Sequence, residues 1–188
     1  YVRMRYRVDA PSGGQEYAIQ VTYSISRRGD IIGSYRHLLN PLNTTTESQN
    51  TNIIKETTRD YFRLQLNYQA LQWLKLQSRV ELTYRIQASN EDEKGYMIYQ
   101  GFQIKPESKK WTLNCRYSLF DTDSYDTRLY AYENDVPYAF SVPAFSGKGS
   151  RFYIFYTTEL NERITLMLRY GSTWYSDRTI IGSGLDEI

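Results

Sequence analysis

Basic side chains recur at alternate positions in several stretches of the chain, which places them on one face of each extended segment. Rows of fixed cations attract anions, as basic rings do in pores. In the other interpretation the arginines stack on tyrosine rings and pair with carboxylates from neighbouring strands or from a plug, which braces the structure without selecting a solute. Glu81 is the main acidic residue on the same face. Bracing is the favoured interpretation. The basic positions are Arg3, Arg5, Arg7, Arg63, Lys75, Arg79, Arg85, Arg116, Arg163 and Arg169.

Three carboxylates lie close together in the segment Asp121-Thr-Asp-Ser-Tyr-Asp126. Calcium prefers several oxygen ligands, so this spacing raises a calcium loop as one interpretation. The segment lacks the glycine of such loops, and its twelfth position is Tyr132 rather than Glu. A solvated acidic turn is the favoured interpretation, and we expect no metal site.

Residues for nucleophilic catalysis are scarce. The single histidine, His37, has no nucleophile motif beside it, and Gly182-Ser-Gly184 is too short for a nucleophile elbow. Ser146-Gly-Lys-Gly-Ser150 falls short of a phosphate-binding loop. The single cysteine, Cys115, is interpreted as a small apolar residue. We therefore expect neither an enzyme nor a cofactor.

The elements that carry these residues are predicted to be β-strands. From Trp73 to Ile86 the chain alternates with period two: Leu74, Leu76, Val80 and Leu82 share one face, and basic and polar residues occupy the other. The same period predicts eight strands: Tyr1–Val8, Tyr17–Arg27, Thr58–Gln69, Trp73–Ala88, Gly95–Lys105, Trp111–Phe120, Arg151–Glu159 and Arg163–Tyr175.

Short and longer connections alternate between these strands. This favours an up-and-down arrangement with turns at one end and two long external loops, 28–57 and 121–150, at the other. Ile31–His37 and Arg128–Glu133 resemble strands but are assigned to those loops as local structure. We expect residues 1–188 to be one β-barrel segment, with both ends truncated.

Composition is consistent with a membrane barrel. The chain has 19 Tyr, seven Phe and three Trp, and its net charge of +2 argues for neither nucleic acid nor an anionic membrane surface. Mean hydropathy is negative, and no apolar run is long enough for a transmembrane helix. The expected fold is all-β: an antiparallel up-and-down transmembrane β-barrel of about eight strands, or part of a larger barrel. A soluble β-sandwich is the alternative.

Taken together, the segments resemble bacterial outer-membrane β-barrel proteins over essentially the whole chain. More narrowly, Ser118–Arg151 (SLFDTDSYDTRLYAYENDVPYAFSVPAFSGKGSR) is similar to a loop of competence-like helix-hairpin-helix outer-membrane proteins. The resemblance implies DNA-binding helical repeats ahead of the barrel, and no part of this chain matches such repeats. No functional residue of that family is therefore transferred, and we expect no nucleic-acid partner in this segment.

The expected function is a pore or transport component of the bacterial outer membrane with an arginine-rich interior. One alternative is a non-conducting scaffold that docks outer-membrane or secreted proteins, or a surface glycan, through its long loops. The other is a soluble carbohydrate-binding sandwich. Outer-membrane lipid is the expected partner of either barrel.

Overall fold

A computed structural model describes residues 13–45, 52–87, 92–139 and 142–178 of the chain. Ten strands are formed in these ranges: β1 Gln15–Ser26, β2 Gly29–Thr45, β3 Asn52–Leu71, β4 Leu74–Gln87, β5 Glu93–Ile104, β6 Trp111–Thr122, β7 Leu129–Tyr130, β8 Ala144–Phe145, β9 Lys148–Asn161 and β10 Ile164–Tyr175. The predicted strand Tyr1–Val8, with Arg3, Arg5 and Arg7, lies outside the described residues.

Eight of these strands form one antiparallel sheet in the order β1-β2-β3-β4-β5-β6-β9-β10, and β7 and β8 form a separate small ribbon. Each strand of the large sheet pairs with its neighbour in that order, which makes the sheet a meander. The prediction of an all-β, eight-stranded antiparallel architecture is confirmed. Within the described residues β1 and β10 do not pair with each other, so the sheet is open.

The sheet has one apolar and one polar face. The register places Val21, Leu64, Val80, Ile98 and Leu119 in one row across the sheet, all on the same side. Between 41 and 59% of each of these side chains is exposed, and the apolar face continues in the same way above and below this row. The opposite, polar face carries most of the Arg, Gln and Asn side chains of the sheet, among them Arg63, Gln65 and Asn67. The predicted assignment of alternate residues to two faces is confirmed for β1, β3, β4 and β6.

The expectation of a long loop at 28–57 was wrong, because most of that segment is strand. β2 pairs along its whole length with β3, and β1 pairs with much of it. Its alternation is hard to detect in the sequence, since Gly33 and His37 lie on the apolar face while Ile32 and Leu38 lie on the polar face. Hydrogen bonding to two neighbouring strands stabilises β2 despite this mixed pattern.

The connections differ between the two ends of the sheet. At the turn end, the two-residue connections 27–28, 72–73 and 162–163 and the six-residue connection 105–110 join consecutive strands. At the loop end lie the connections 46–51, 88–92 and 123–147. Counting β2 as a strand places the connections alternately at the two ends, but the predicted contrast in length fails at 105–110, which is as long as 46–51 and longer than 88–92.

The connection 123–147, which we call the covering segment, falls within the predicted external loop 121–150. It folds back across the polar face, with a 3-10 turn at Tyr125–Thr127 and the β7–β8 ribbon. Leu129, Ala131 and Phe145 are at most 1% exposed and pack with Met97 and Phe120 of the sheet. Burial of these apolar side chains favours the folded-back position. The prediction that the segment has local β-structure is confirmed.

Within the described ranges, we find no helix long and apolar enough to cross a membrane.

Candidate functional site: the polar face and its covering segment

Ion pairs at the centre of the polar face join β3 to β4. Arg63 donates through Nε and Nη2 to the two oxygens of Glu81, each at 3.0 Å. Arg79 Nη1 lies 3.6 Å from the same carboxylate, and Glu81 itself is 4% exposed. A bidentate pair of this kind fixes both side chains and offsets the charge of the arginine.

Amide side chains extend this network towards the turn end. Arg79 donates twice to Gln65 Oε1, Gln65 donates to Asn67 at 2.9 Å, and Asn67 donates to Asp30 at 2.8 Å. Gln77 also donates to Asn67, at 3.0 Å. These side chains form one connected network, in which the buried amides of Gln65 and Asn67 have hydrogen-bond partners, as the low dielectric requires.

Arginines also stack on tyrosine rings of this face. The guanidinium carbon of Arg116 lies 4.3 Å from the centroid of the Tyr99 ring, and that of Arg79 lies 5.0 Å from it. Arg116 and Arg169 both lie 5.9 Å from the ring of Tyr153. These cation–π contacts place positive charge between aromatic rings, where little water reaches it.

Glu133 fastens the covering segment to β9 and β10. Its carboxylate accepts two hydrogen bonds from Arg151, at 2.7 and 2.8 Å, and one from Arg169 at 2.9 Å. Glu133 is 1% exposed. Asp135 adds a contact to Arg169 at 3.5 Å. Neither Glu133 nor Arg151 was predicted as a site residue, since only the fold brings a loop carboxylate onto these strands.

Asp126 fastens the other end of the covering segment. It lies 3.3 Å from Arg85 and 3.4 Å from Arg59, and Arg85 also pairs with Glu93 at 2.8 Å. Arg128 contacts Asp126 as well. Burial disfavours the Arg128 charge, but the hydrogen bond to Tyr130 and the nearby Asp126 raise the pKa of Arg128 above its ordinary value.

The three carboxylates of the 121–126 segment point to different partners. Asp121 lies 3.1 Å from Lys148, Asp123 accepts from the Lys94 backbone at 2.9 Å, and Asp126 binds arginines. In the ranges that the structure covers, no three His, Cys, Asp or Glu side chains are grouped for a metal ion. The calcium interpretation therefore has no geometric support.

The seven predicted basic residues that lie within the described ranges fall into three groups. Arg63, Arg79, Arg85 and Arg169 lie on the polar face and pair with carboxylates. Arg116 and Lys75 lie on the same face, and no carboxylate pairs with them among the residues described. Arg163, predicted to share this face, lies in the turn at 162–163 instead, because β10 begins only at Ile164.

His37 lies on the apolar face near the loop end. Its Nδ1 is 2.8 Å from Asp60 Oδ1, and the Tyr35 hydroxyl donates to the same oxygen at 2.7 Å. The three side chains satisfy one another on neighbouring strands, and no nucleophile belongs to the group. These contacts give His37 a structural role in joining β2 to β3.

The covering segment lies close to the sheet at Gly95. A Cβ atom there would lie 2.6 Å from the Thr127 carbonyl and within 3.0 Å of Thr83 and Thr122. We expect Gly95→Ala to push the 3-10 turn off the sheet and to lower the free energy of unfolding by about 1–3 kcal/mol. Urea titration measures this change.

Gly33→Ala is the matched control, because a Cβ at Gly33 meets no atom within 4 Å. We expect it to leave stability unchanged. Equal effects of the two substitutions would contradict close packing of the covering segment against β5.

No protein-family model matches the chain, and no curated protein matches it.

Proposed function

We propose that the sheet is part of the wall of a transmembrane β-barrel in a bacterial outer membrane. The observation that carries this proposal is the exposed apolar face, which includes Ile19, Leu64, Leu82, Ile98 and Leu168 at 47 to 62% exposure. Soluble proteins rarely expose so continuous an apolar surface. In a barrel, lipid covers that face and the polar face lines the interior.

The strand lengths support a membrane location. The eight strands contain 12 to 20 residues, and crossing a bilayer takes about 9–11. Ser78 and Gln100 interrupt the apolar face, but they face each other across β4 and β5 and Ser78 donates to Gln100. Pairing of this kind lowers the cost of placing polar groups in lipid.

The barrel acts as a pore or transport component, and the covering segment narrows its interior. Closure requires hydrogen bonding at the edges of β1 and β10, which lipid would otherwise leave unsatisfied. Most arginines of the polar face pair with carboxylates, so only the unpaired charges favour anions. The anion preference of the pore is therefore weaker than the number of arginines alone would give.

A non-conducting scaffold is the second candidate. It is favoured by the ion pairs of Glu81, Glu133 and Asp126, which brace the polar face and hold the covering segment over it. The two candidates share the membrane barrel and differ in whether ions cross it.

Gel mobility of the membrane-extracted protein tests the barrel, and planar-bilayer recording then tests the pore. We expect the unheated protein to migrate differently from the boiled protein in SDS, because closed barrels resist detergent. Discrete conductance steps support the pore, whereas a heat-shifted protein without conductance supports the scaffold. A protein that stays in the soluble fraction and shows no shift would overturn both and favour the carbohydrate-binding sandwich.

A further inference from the structure

A cavity of about 240 Å³ lies on the polar face beside the covering segment. Its walls include Lys75, Gln103, Asn114 and Arg116 from β4, β5 and β6, and Tyr132 from the covering segment. These strand residues lie close to the turn end, where β4 and β6 begin and β5 ends. Gly101 contributes no side chain, which leaves space between Gln77 and Arg116.

The charges around this cavity do not balance. Lys75 and Arg116 both line it, and its described lining includes no Asp or Glu. Elsewhere on the polar face, Arg63, Arg79 and Arg151 each meet a carboxylate. The cavity is therefore a local region of positive potential within a face that is otherwise neutralised.

Arg116 is held in place without full compensation of its charge. Its Nη2 donates to the Tyr132 carbonyl at 2.7 Å, while Nε and Nη1 are buried and have no hydrogen-bond partner. Tyr99 and Tyr153 flank the guanidinium. An arginine remains charged at any physiological pH, so an anion in the adjoining cavity stabilises it by charge attraction, although the enclosed Nε and Nη1 do not contact that space.

Asn114 supplies a neutral donor beside the two cations. Its Oδ1 accepts from Gln103 Nε2 at 2.9 Å, so Nδ2 is the amide atom that can donate to a ligand in the cavity that Asn114 lines. Two cations and an amide donor match the acceptor oxygens of a phosphate or carboxylate group. At roughly 30 Å³ per water molecule, the cavity has room for such a group with some of its water.

We propose that this cavity is a binding site for a small oxyanion, a phosphate or carboxylate group, held by Arg116, Lys75 and Asn114. The proposal rests on the proposed function in one respect, that the polar face meets water. It does not require that ions cross the barrel, since a scaffold holds the same cavity.

Titration calorimetry of the full chain in detergent micelles tests the site, with inorganic phosphate and succinate as separate probes at constant ionic strength. We expect saturable binding of at least one of them, weakened about tenfold or more in Arg116→Gln. Arg36→Gln is the matched control, because Arg36 pairs with Glu16 on an exposed part of the polar face. That variant loses the same charge and is expected to bind as tightly as the unmodified chain.

Asn114→Asp provides a second variant that keeps the shape of the side chain. Its carboxylate places a counter-ion beside Arg116, so we expect oxyanion binding to be lost while the heat-induced gel shift persists. Absence of saturable binding of both probes in the unmodified chain, or equal affinity in Arg116→Gln, would overturn the proposal. If the protein binds an oxyanion but shows no conductance, the proposed pore is wrong and the proposed binding site is supported.

Discussion

Glu133→Gln is expected to release the covering segment from the polar face and to destabilise the protein by about 3–5 kcal/mol. The substitution keeps the shape of the side chain but removes the carboxylate that Arg151 and Arg169 share. Since Glu133 is 1% exposed, both arginines lose a buried counter-ion. Removing one partner of a buried ion pair leaves the other charge without a counter-ion. This costs more free energy than the intact pair contributes to stability.

Two measurements follow this change. Urea titration in micelles gives the loss of stability, and planar-bilayer recording gives the conductance. If the covering segment narrows a pore, we expect larger conductance steps in Glu133→Gln than in the unmodified chain. Limited proteolysis is expected to cut within 123–147 more readily, since an undocked segment exposes its backbone.

The matched control is Glu159→Gln, which removes a carboxylate from an exposed pair with Lys110. Exposed pairs contribute about 0–1 kcal/mol, so little change is expected. A Glu133 variant that is as stable and as protease-resistant as this control would contradict the assignment of Glu133 as the fastening residue. Unchanged conductance steps in a destabilised variant would contradict the constriction.

Leu64→Arg is expected to cost roughly 2–4 kcal/mol when the protein is folded in lipid vesicles. Leu64 is 57% exposed and lies in the middle of the apolar face, between Gly33 and Val80. In lipid its replacement puts a charge among acyl chains. In water the same substitution at an exposed site changes stability by about 0.5 kcal/mol or less. The loss of stability in Leu64→Arg therefore depends on whether lipid or water covers the apolar face.

Ile164→Arg serves as the control for depth. Ile164 is 51% exposed but begins β10 at the turn end, where a barrel would meet the membrane surface. There an arginine costs roughly 0–1 kcal/mol. Urea titration of both variants in vesicles measures the difference. Equal and small effects would mean that water, and not lipid, covers the apolar face.

Alternation along the strands could be predicted from the sequence because it is a local property. The faces of β1, β3, β4 and β6 follow from a period of two, and each strand shows it without knowledge of its neighbours. β2 was not predicted, because its own local alternation is irregular. Gly33 and His37 interrupt its apolar row, and only hydrogen bonding to β1 and β3 establishes it as a strand.

The basic character of the polar face was also predicted, and so was the bracing of arginines by tyrosines and carboxylates as one of two interpretations. Which arginine meets which carboxylate was not predictable. Glu133 is 18 residues from Arg151 and 36 from Arg169. No local pattern relates residues so far apart.

The sequence by itself determined an antiparallel sheet with one apolar and one polar face. Successive side chains of a strand point to opposite faces, so alternating apolar and polar residues separate onto the two faces of the sheet. Only the tertiary structure decided where the covering segment lies, which charges it neutralises, and that Arg116 meets no carboxylate among the described residues. The physical reason is that burial and ion pairing depend on distances across the sheet. Those distances exist only after strands far apart in the chain have paired.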